Sequence, residues 1–450
     1  MGEARGAQEG ILRRQTAREP AARTYARALP VVPVRARGLT IEGADGRRYL
    51  DCLSGAGTLA LGHNHPVVLE AIRGVLDSGA PLHALDLATP VKDAFVTELF
   101  RTLPPALAEH ARVRFCGPAA TDAVETAFRL VRAATGRTGI LAVSGALEAS
   151  GGACGPRLPH PRDHRCPFGV GGPHGAELAA RWSESALDDP ESGLPGPAGL
   201  ILEPVQWDGG VIPAPDDWVR RIRRLTADRS IPLIADEVQT GVGRTGAFWA
   251  VEHSGVTPDV MVLSNAIGGS LPLSVVVHRD DLDLCRPGPH TGPFRGNQLA
   301  MAAGTATLSY VRENGLAGRA AALGARMLAQ LRGLTDEFTC VGDVRGRGLM
   351  IGVEFVGEDA GGCGADPASL LRPVDRPGPA ASELAAAAQQ ECLRRGLIVE
   401  LGGRHASVVR LLPPLTITDG QATAVLDRLS DAVEAVARGQ TDRDTARTGH

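Results

Sequence analysis

Residues 233–272 read LIADEVQTGVGRTGAFWAVEHSGVTPDVMVLSNAIGGSLP. Two runs in and beside this stretch, Pro232 to Asp236 and Val260 to Leu263, are short and apolar along their whole length, as strands covered on both faces must be. Further strand candidates lie at Val113 to Cys116, Ile140 to Val143, Gly199 to Glu203 and Leu273 to Val277. Helical patterns separate several of them, among them Asp216 to Ala227, and NQLAMAAGTATLSYVREN (297–314) reads as a long helix. This alternation predicts an α/β fold with a mostly parallel sheet. The first strand candidate runs into GPAATDAVETAFRLVRAATGR (117–137), where Thr121 is placed to cap a helix carrying Val124, Phe128 and Val131 on one face.

Composition bounds the rest. A chain of 450 residues, 43% hydrophobic and 22% charged, can bury a large core in two or three domains. A net charge of -4 argues against nucleic-acid or anionic-membrane partners. No apolar run approaches the roughly 20 residues that span a bilayer. The start MGEARGAQEGILRRQTAREP is charged and has no apolar h-region, so a cytoplasmic location is expected. Residues 1–22 and 438–450 read as disordered tails. The eight cysteines form no C-x-x-C pair and read as free thiols. His160, Asp163, His164, Cys166 and His174 have zinc-binding types, but their Pro- and Gly-rich setting gives no element to fix ligand geometry, so no metal is expected.

Six segments then carry a resemblance that runs from about residue 24 to 437. They are GLTIEGADGRRYLDCLSGAGTLALGHNHPVV (38–68), FCGPAATDAVE (115–125), DEVQTGVGRTG (236–246), FRGNQLAMAAGTATL (294–308), VRGRGLMIGVEF (344–355) and CLRRGLIVELGGRHASVVRLLPPLTIT (392–418). Together they resemble class III, fold-type I, pyridoxal phosphate (PLP)-dependent aminotransferases, and within them the diaminobutyrate–2-oxoglutarate transaminase branch. The resemblance implies a large domain over 63–305, a small domain from 23–62 plus 306–437, and a homodimer or higher assembly. It also implies roles. Asp236 matches the carboxylate that faces the pyridine nitrogen and Gln239 the residue beside the ring hydroxyl. Arg410 matches the arginine that takes the substrate carboxylate, and Asp208 the acid that pairs with that arginine.

Against this pattern stand several departures. Asn265 occupies the position of the lysine that holds the cofactor as an imine and shuttles the proton, and an amide does neither. Lys92 is the one lysine in the chain and reads as a solvated or interfacial residue. The phosphate-cradling turn reads Ala119, Ala120, Thr121 where the family has Thr-Gly-Thr. Pro293 replaces a threonine, Leu147 and Glu148 replace the aromatic and histidine that cover the ring, and Trp207 replaces a small glycine, filling space above the cofactor.

Three readings follow. In the first, favoured by so many changes around one ligand, the chain is a repurposed enzyme that does not transaminate. It holds PLP weakly or not at all, with no covalent imine, and acts on a small amino acid or carboxylate through Glu148, Asp208, Asp236 and His160 as acid–base groups. Restoring lysine at 265 is then expected not to rescue activity. In the second it is a non-catalytic subunit of a lysine-bearing paralogue. In the third it is an active diaminobutyrate–2-oxoglutarate-type aminotransferase carrying an engineered Asn265.

Overall fold

A computed structural model describes residues 2–18, 29–144, 157–189, 191–192, 196–284, 293–357 and 378–448. In chain order its strands are β1 (Pro33–Arg37), β2 (Thr40–Gly43), β3 (Arg48–Asp51), β4 (Ala111–Phe115), β5 (Ile140–Val143), β6 (Arg157–Leu158), β7 (Gly199–Leu202), β8 (Val205–Gln206), β9 (Ile212–Pro213), β10 (Leu233–Asp236), β11 (Val260–Leu263), β12 (Val275–Arg279), β13 (Val341–Arg347), β14 (Met350–Phe355), β15 (Leu397–Ile398), β16 (Glu400–Gly402) and β17 (Val408–Leu411). The central sheet has the order β4-β12-β11-β10-β7-β5-β6. β12 runs antiparallel to both of its neighbours, and the pairings from β11 through β10, β7 and β5 to β6 are parallel. Strands β5, β7, β10 and β11 are buried at every residue, the reason they read as unbroken apolar runs.

Helices cover both faces. Ala120–Thr135 packs Val124, Phe128 and Val131 with Ile140, Ile201 and Val262 on one side, while Asp216–Asp228 packs Trp218, Val219 and Ile222 with Leu141, Leu200 and Leu233 on the other. A second, antiparallel sheet, β13-β14-β17-β16, belongs to the C-terminal part. A third joins the two chain ends, because β15 pairs in parallel with β3 of the N-terminal β1-β2-β3 meander.

Some local expectations change. Thr121 is not a cap: the N-cap is Ala119, and the carboxylate of Asp122 accepts from the Ala119 amide at 3.2 Å. Threonine at this position already lies inside the first turn, so the acid two residues beyond the first helical position does the capping work. β12 begins two residues later than Leu273, since Ser274 turns its hydroxyl to the carbonyls of Gly117 and Ala119. Helices Gly2–Arg18 and Asp419–Thr448 extend into both segments read as disordered; each is free of proline and rich in good helix formers. No described helix is long and apolar enough to cross a membrane.

One contact fixes the turn after β11. A Cβ at Gly304, in the helix Gln298–Glu313, would lie 2.1 Å from the Ile267 carbonyl oxygen, and one at Gly269 would lie 2.3 Å from the Ala303 carbonyl oxygen. Gly269 also has φ 56, so glycine serves there twice over. Gly304→Ala is therefore expected to destabilise the fold by about 1–3 kcal/mol through overpacking against backbone. The urea midpoint of the variant reads this directly, and a midpoint equal to the parent's contradicts it.

Candidate active site

The parallel strands end on one side of the central sheet, where α/β folds place their ligands. Asp236 is the last residue of β10 and is buried there. Its Oδ1 accepts from the Val238 amide at 3.0 Å, and among the described residues it makes no ion pair. Burial therefore pushes its carboxyl up to about 6; the Val238 amide opposes the shift and the charge of Asp208 adds to it. Glu237 faces the other way, accepts from the Val251 amide at 2.9 Å and from Thr240, and is structural. The side-chain oxygen of Gln239 is buried with no hydrogen-bond partner and lies against Gly57, where a Cβ would approach it to 2.6 Å.

Asn265 opens the turn Asn265–Gly268 that follows β11. Its φ is 54, in the left-handed region that asparagine tolerates better than most side chains. Its amide donates to the Ala56 carbonyl at a long 3.4 Å. The wall it faces is itself strained: Ser54, Gly55, Ala56 and Gly57 have φ of 49, 59, 53 and 88, four left-handed residues in succession.

Arg410 sits in β17, almost fully buried. Its guanidinium lies 4.0 Å from the Trp207 ring centroid and donates to the carbonyls of Trp207 at 3.0 Å and Leu401 at 3.1 Å. Its near carboxylate is Glu400 Oε2 at 2.9 Å, whereas Asp208, half exposed, stands 3.7 Å away. Glu400 is the residue that the sequence did not reveal. It lies directly across the β16–β17 pair from Arg410, a relation that appears only once the register is known. Trp207 is placed under this arginine, its amide donating to Glu203 at 3.0 Å.

The remaining candidates divide. Ala119, Ala120 and Thr121 form the N-terminus of the helix Ala120–Thr135, whose first amides lack partners within the helix. Pro293 is exposed. Leu147 and Glu148 lie outside the described residues. His160 is not an acid–base group: it is buried against Trp218 with neither ring nitrogen bonded, and burial lowers its pKa to about 3. Among the described residues no three metal-ligating side chains converge, so the cluster around His160 does not assemble. Lys92 places its ammonium 5.0 Å over the Phe115 ring.

Two outcomes follow from these geometries. The raised Asp236 pKa means the folded state holds its proton more tightly than the unfolded chain, whose aspartate titrates near ~4. Its contribution is thus present at low pH and is lost as pH rises through about 6. Asp236→Asn should melt higher than the parent at pH 8 and equally at pH 4; equal melting at both values sinks the assignment. Glu400→Gln frees Arg410, and small carboxylates should then bind about tenfold more tightly, a change of roughly 1.4 kcal/mol. Trp207 fluorescence reports it, and unchanged affinity shows that Glu400 does not restrain the arginine.

With this geometry in place, likeness to known proteins can be stated. The model for aminotransferase class-III matches residues 21–149 and 190–433. A diaminobutyrate–2-oxoglutarate aminotransferase from Rhizobium meliloti (strain 1021) is 50% identical over 446 residues, 95% of this chain and 93% of the relative. Another with that name, from Haemophilus influenzae, is 41% identical over 94% of each. Among solved structures, an amine transaminase from an uncultivated Pseudomonas species, in the PLP-bound (internal aldimine) form, has a TM-score of 0.79 at 28% identity, over 93% of this chain and 97% of its own. An (S)-enantioselective omega-transaminase from Thermomicrobium roseum has a TM-score of 0.80 at 26% identity, over 95% and 98%. The fold is the fold-type I transaminase fold that the sequence implied.

These likenesses overturn two expectations. A repurposed protein that has left transamination does not fit 50% identity across nearly the whole chain to a curated aminotransferase. Weak or absent PLP does not fit a chain matched by this family's model and superposing on a PLP-bound transaminase. The reading with an active aminotransferase scaffold fits better.

Proposed function

The chain belongs to the class-III aminotransferase family, and from that premise we propose that it binds PLP in the pocket of an aminotransferase built to move an amino group between a small diamino acid of the diaminobutyrate type and 2-oxoglutarate, with Asn265 standing where the catalytic lysine would act. The observation that carries the proposal lies at the end of β10, where, among the described residues, Asp236 is a carboxylate buried without a cation and, three residues on, Gln239 carries an amide oxygen buried without a donor. Such groups are costly in a finished core and suit a ligand that brings a cation and a hydroxyl.

The residues fit the cofactor at both ends. Asp236 would face the ring nitrogen and hold a proton there, ionising as it does so, which its raised pKa makes favourable only beside a cation. Gln239 would accept from the ring hydroxyl, and the free amides at Ala120 and Thr121 would take the phosphate. Bound PLP supplies an electron sink that stabilises charge at the substrate's amino-bearing carbon. Arg410 would orient a substrate carboxylate, with Glu400 and Asp208 covering its charge when a substrate brings only one. Trp207 holds the guanidinium plane and closes that end to water.

Position 265 is where the family's lysine acts, and we read Asn265 as a substitution that leaves the walls of the pocket in place. The walls around it are set by backbone contacts from Gly269, Gly304 and the 54–57 turn, not by the side chain itself. Asn265→Lys should therefore give a yellow, borohydride-reducible protein that consumes diaminobutyrate only when 2-oxoglutarate is present, reversing the expectation drawn from sequence. Lysine tolerates the left-handed φ less well, so the unliganded variant should also be destabilised by up to about 1–2 kcal/mol. A variant that folds, yet neither turns yellow nor transfers nitrogen, contradicts the proposal.

A further inference from the structure

A cavity of about 900 Å³ opens between the carboxyl end of β5, the β13–β14 ribbon and the turn after β16. It shares Asp208 with the candidate active site, but Asp236, Gln239, Asn265 and Arg410 are not among its walls. Six arginines and four carboxylates line it, an excess of two positive charges with the histidines neutral.

The carboxylates are already committed. Glu354 pairs with Arg165 at 2.6 Å and with Arg345 at 2.7 Å, and Asp343 also pairs with Arg345 at 2.7 Å. Burial pushes the Glu354 carboxyl up, but Arg345, Arg165 and His164 outweigh it and hold it below the usual range. Asp163 accepts from the Gly172 amide at 2.8 Å, and Asp208 is turned toward Arg410. Arg332, among the described residues, donates only to the Val344 carbonyl, at 3.4 Å, and two further arginines face the cavity. Among the described residues Arg162 and Arg404 make no ion pair, and Arg162 reaches only the Ser144 carbonyl at 3.5 Å. Arg162 is also a strained cation: burial, then the charges of Arg345 and Arg404, lower its pKa. Glu354 offsets part of that repulsion and, with Asp343, holds Arg345; an anion seated beside Arg162 and Arg404 would relieve the rest, and planar forks suit oxyanions.

We propose that this cavity is a second ligand site, distinct from the aminotransferase pocket, that binds a small dianion bearing carboxylate or phosphate groups through Arg162, Arg345 and Arg404. Arg162, His164 and Arg165 come from residues 150–189, which the family model does not match. Occupancy joins the loop around Arg162 to the turn around Arg404, and so ties two separate parts of the chain together beside the rim of the pocket.

The test is calorimetric titration of the full chain at constant ionic strength with succinate in one arm and inorganic phosphate in the other. Saturable binding of either is expected, and the tighter arm identifies whether the site takes carboxylate or phosphate. Arg162→Gln and Arg404→Gln should each weaken binding at least tenfold, while Arg410→Gln should leave it unchanged. Arg404 is exposed, so its variant remains informative if Arg162→Gln fails to fold. No saturable binding in either arm overturns the proposal. So does binding that survives both cavity substitutions or is lost in Arg410→Gln, since the anion then occupies the candidate active site. None of these outcomes depends on whether the protein transaminates.

Discussion

A carboxylate buried at the end of a central strand, with no cation beside it, is the constraint around which the pocket is arranged. Leaving a carboxyl out of water is expensive, and folds ordinarily avoid it by pairing the group or replacing it with an apolar one. Here Asp236 is held by one backbone amide and raised toward neutrality, while its neighbours deliver further incomplete groups to the same place. The chain continues from β10 into the turn carrying Gln239, whose buried oxygen also lacks a donor. Four left-handed residues at 54–57 close over that amide. Strain and unsatisfied polarity in one spot mean that the structure is complementary to something it does not itself contain.

The side chain at 265 is separable from that architecture. Its backbone is left-handed, and Gly269 and Gly304 let the turn that follows it and the helix Gln298–Glu313 approach more closely than any side chain permits. A substitution at 265 therefore changes the chemistry available in the pocket without moving the walls. Trp207 lies 4.0 Å from the Arg410 guanidinium by its ring centroid and steadies that side chain. Pro293 is exposed. Treating these changes as one loss of function was an error of grouping, and identity of 50% to a curated aminotransferase corrects it.

What could be read from the sequence follows the physics of each element. Strands buried on both faces are apolar throughout, so β5, β7, β10 and β11 were legible to within a residue. Arg410 was singled out because VVRLLPP resembles the family's carboxylate-binding segment. Glu400 was not, since its role comes from sheet register and no local pattern announces that pairing. The burial of His160 was not legible, because contact with Trp218, far along the chain, buries it. The arginine-lined cavity was invisible for the same reason, being assembled from four stretches of chain with no shared periodicity.

The central claim is that the pocket beside β10 is built for PLP, and equilibrium titration of the unmodified chain with PLP tests it most directly. Asp236 is predicted to contribute a charge-assisted hydrogen bond of about 1.5–3 kcal/mol, so saturable binding should weaken at least tenfold in Asp236→Asn. Absence of saturable binding, or an affinity that the asparagine leaves unchanged, would contradict the account.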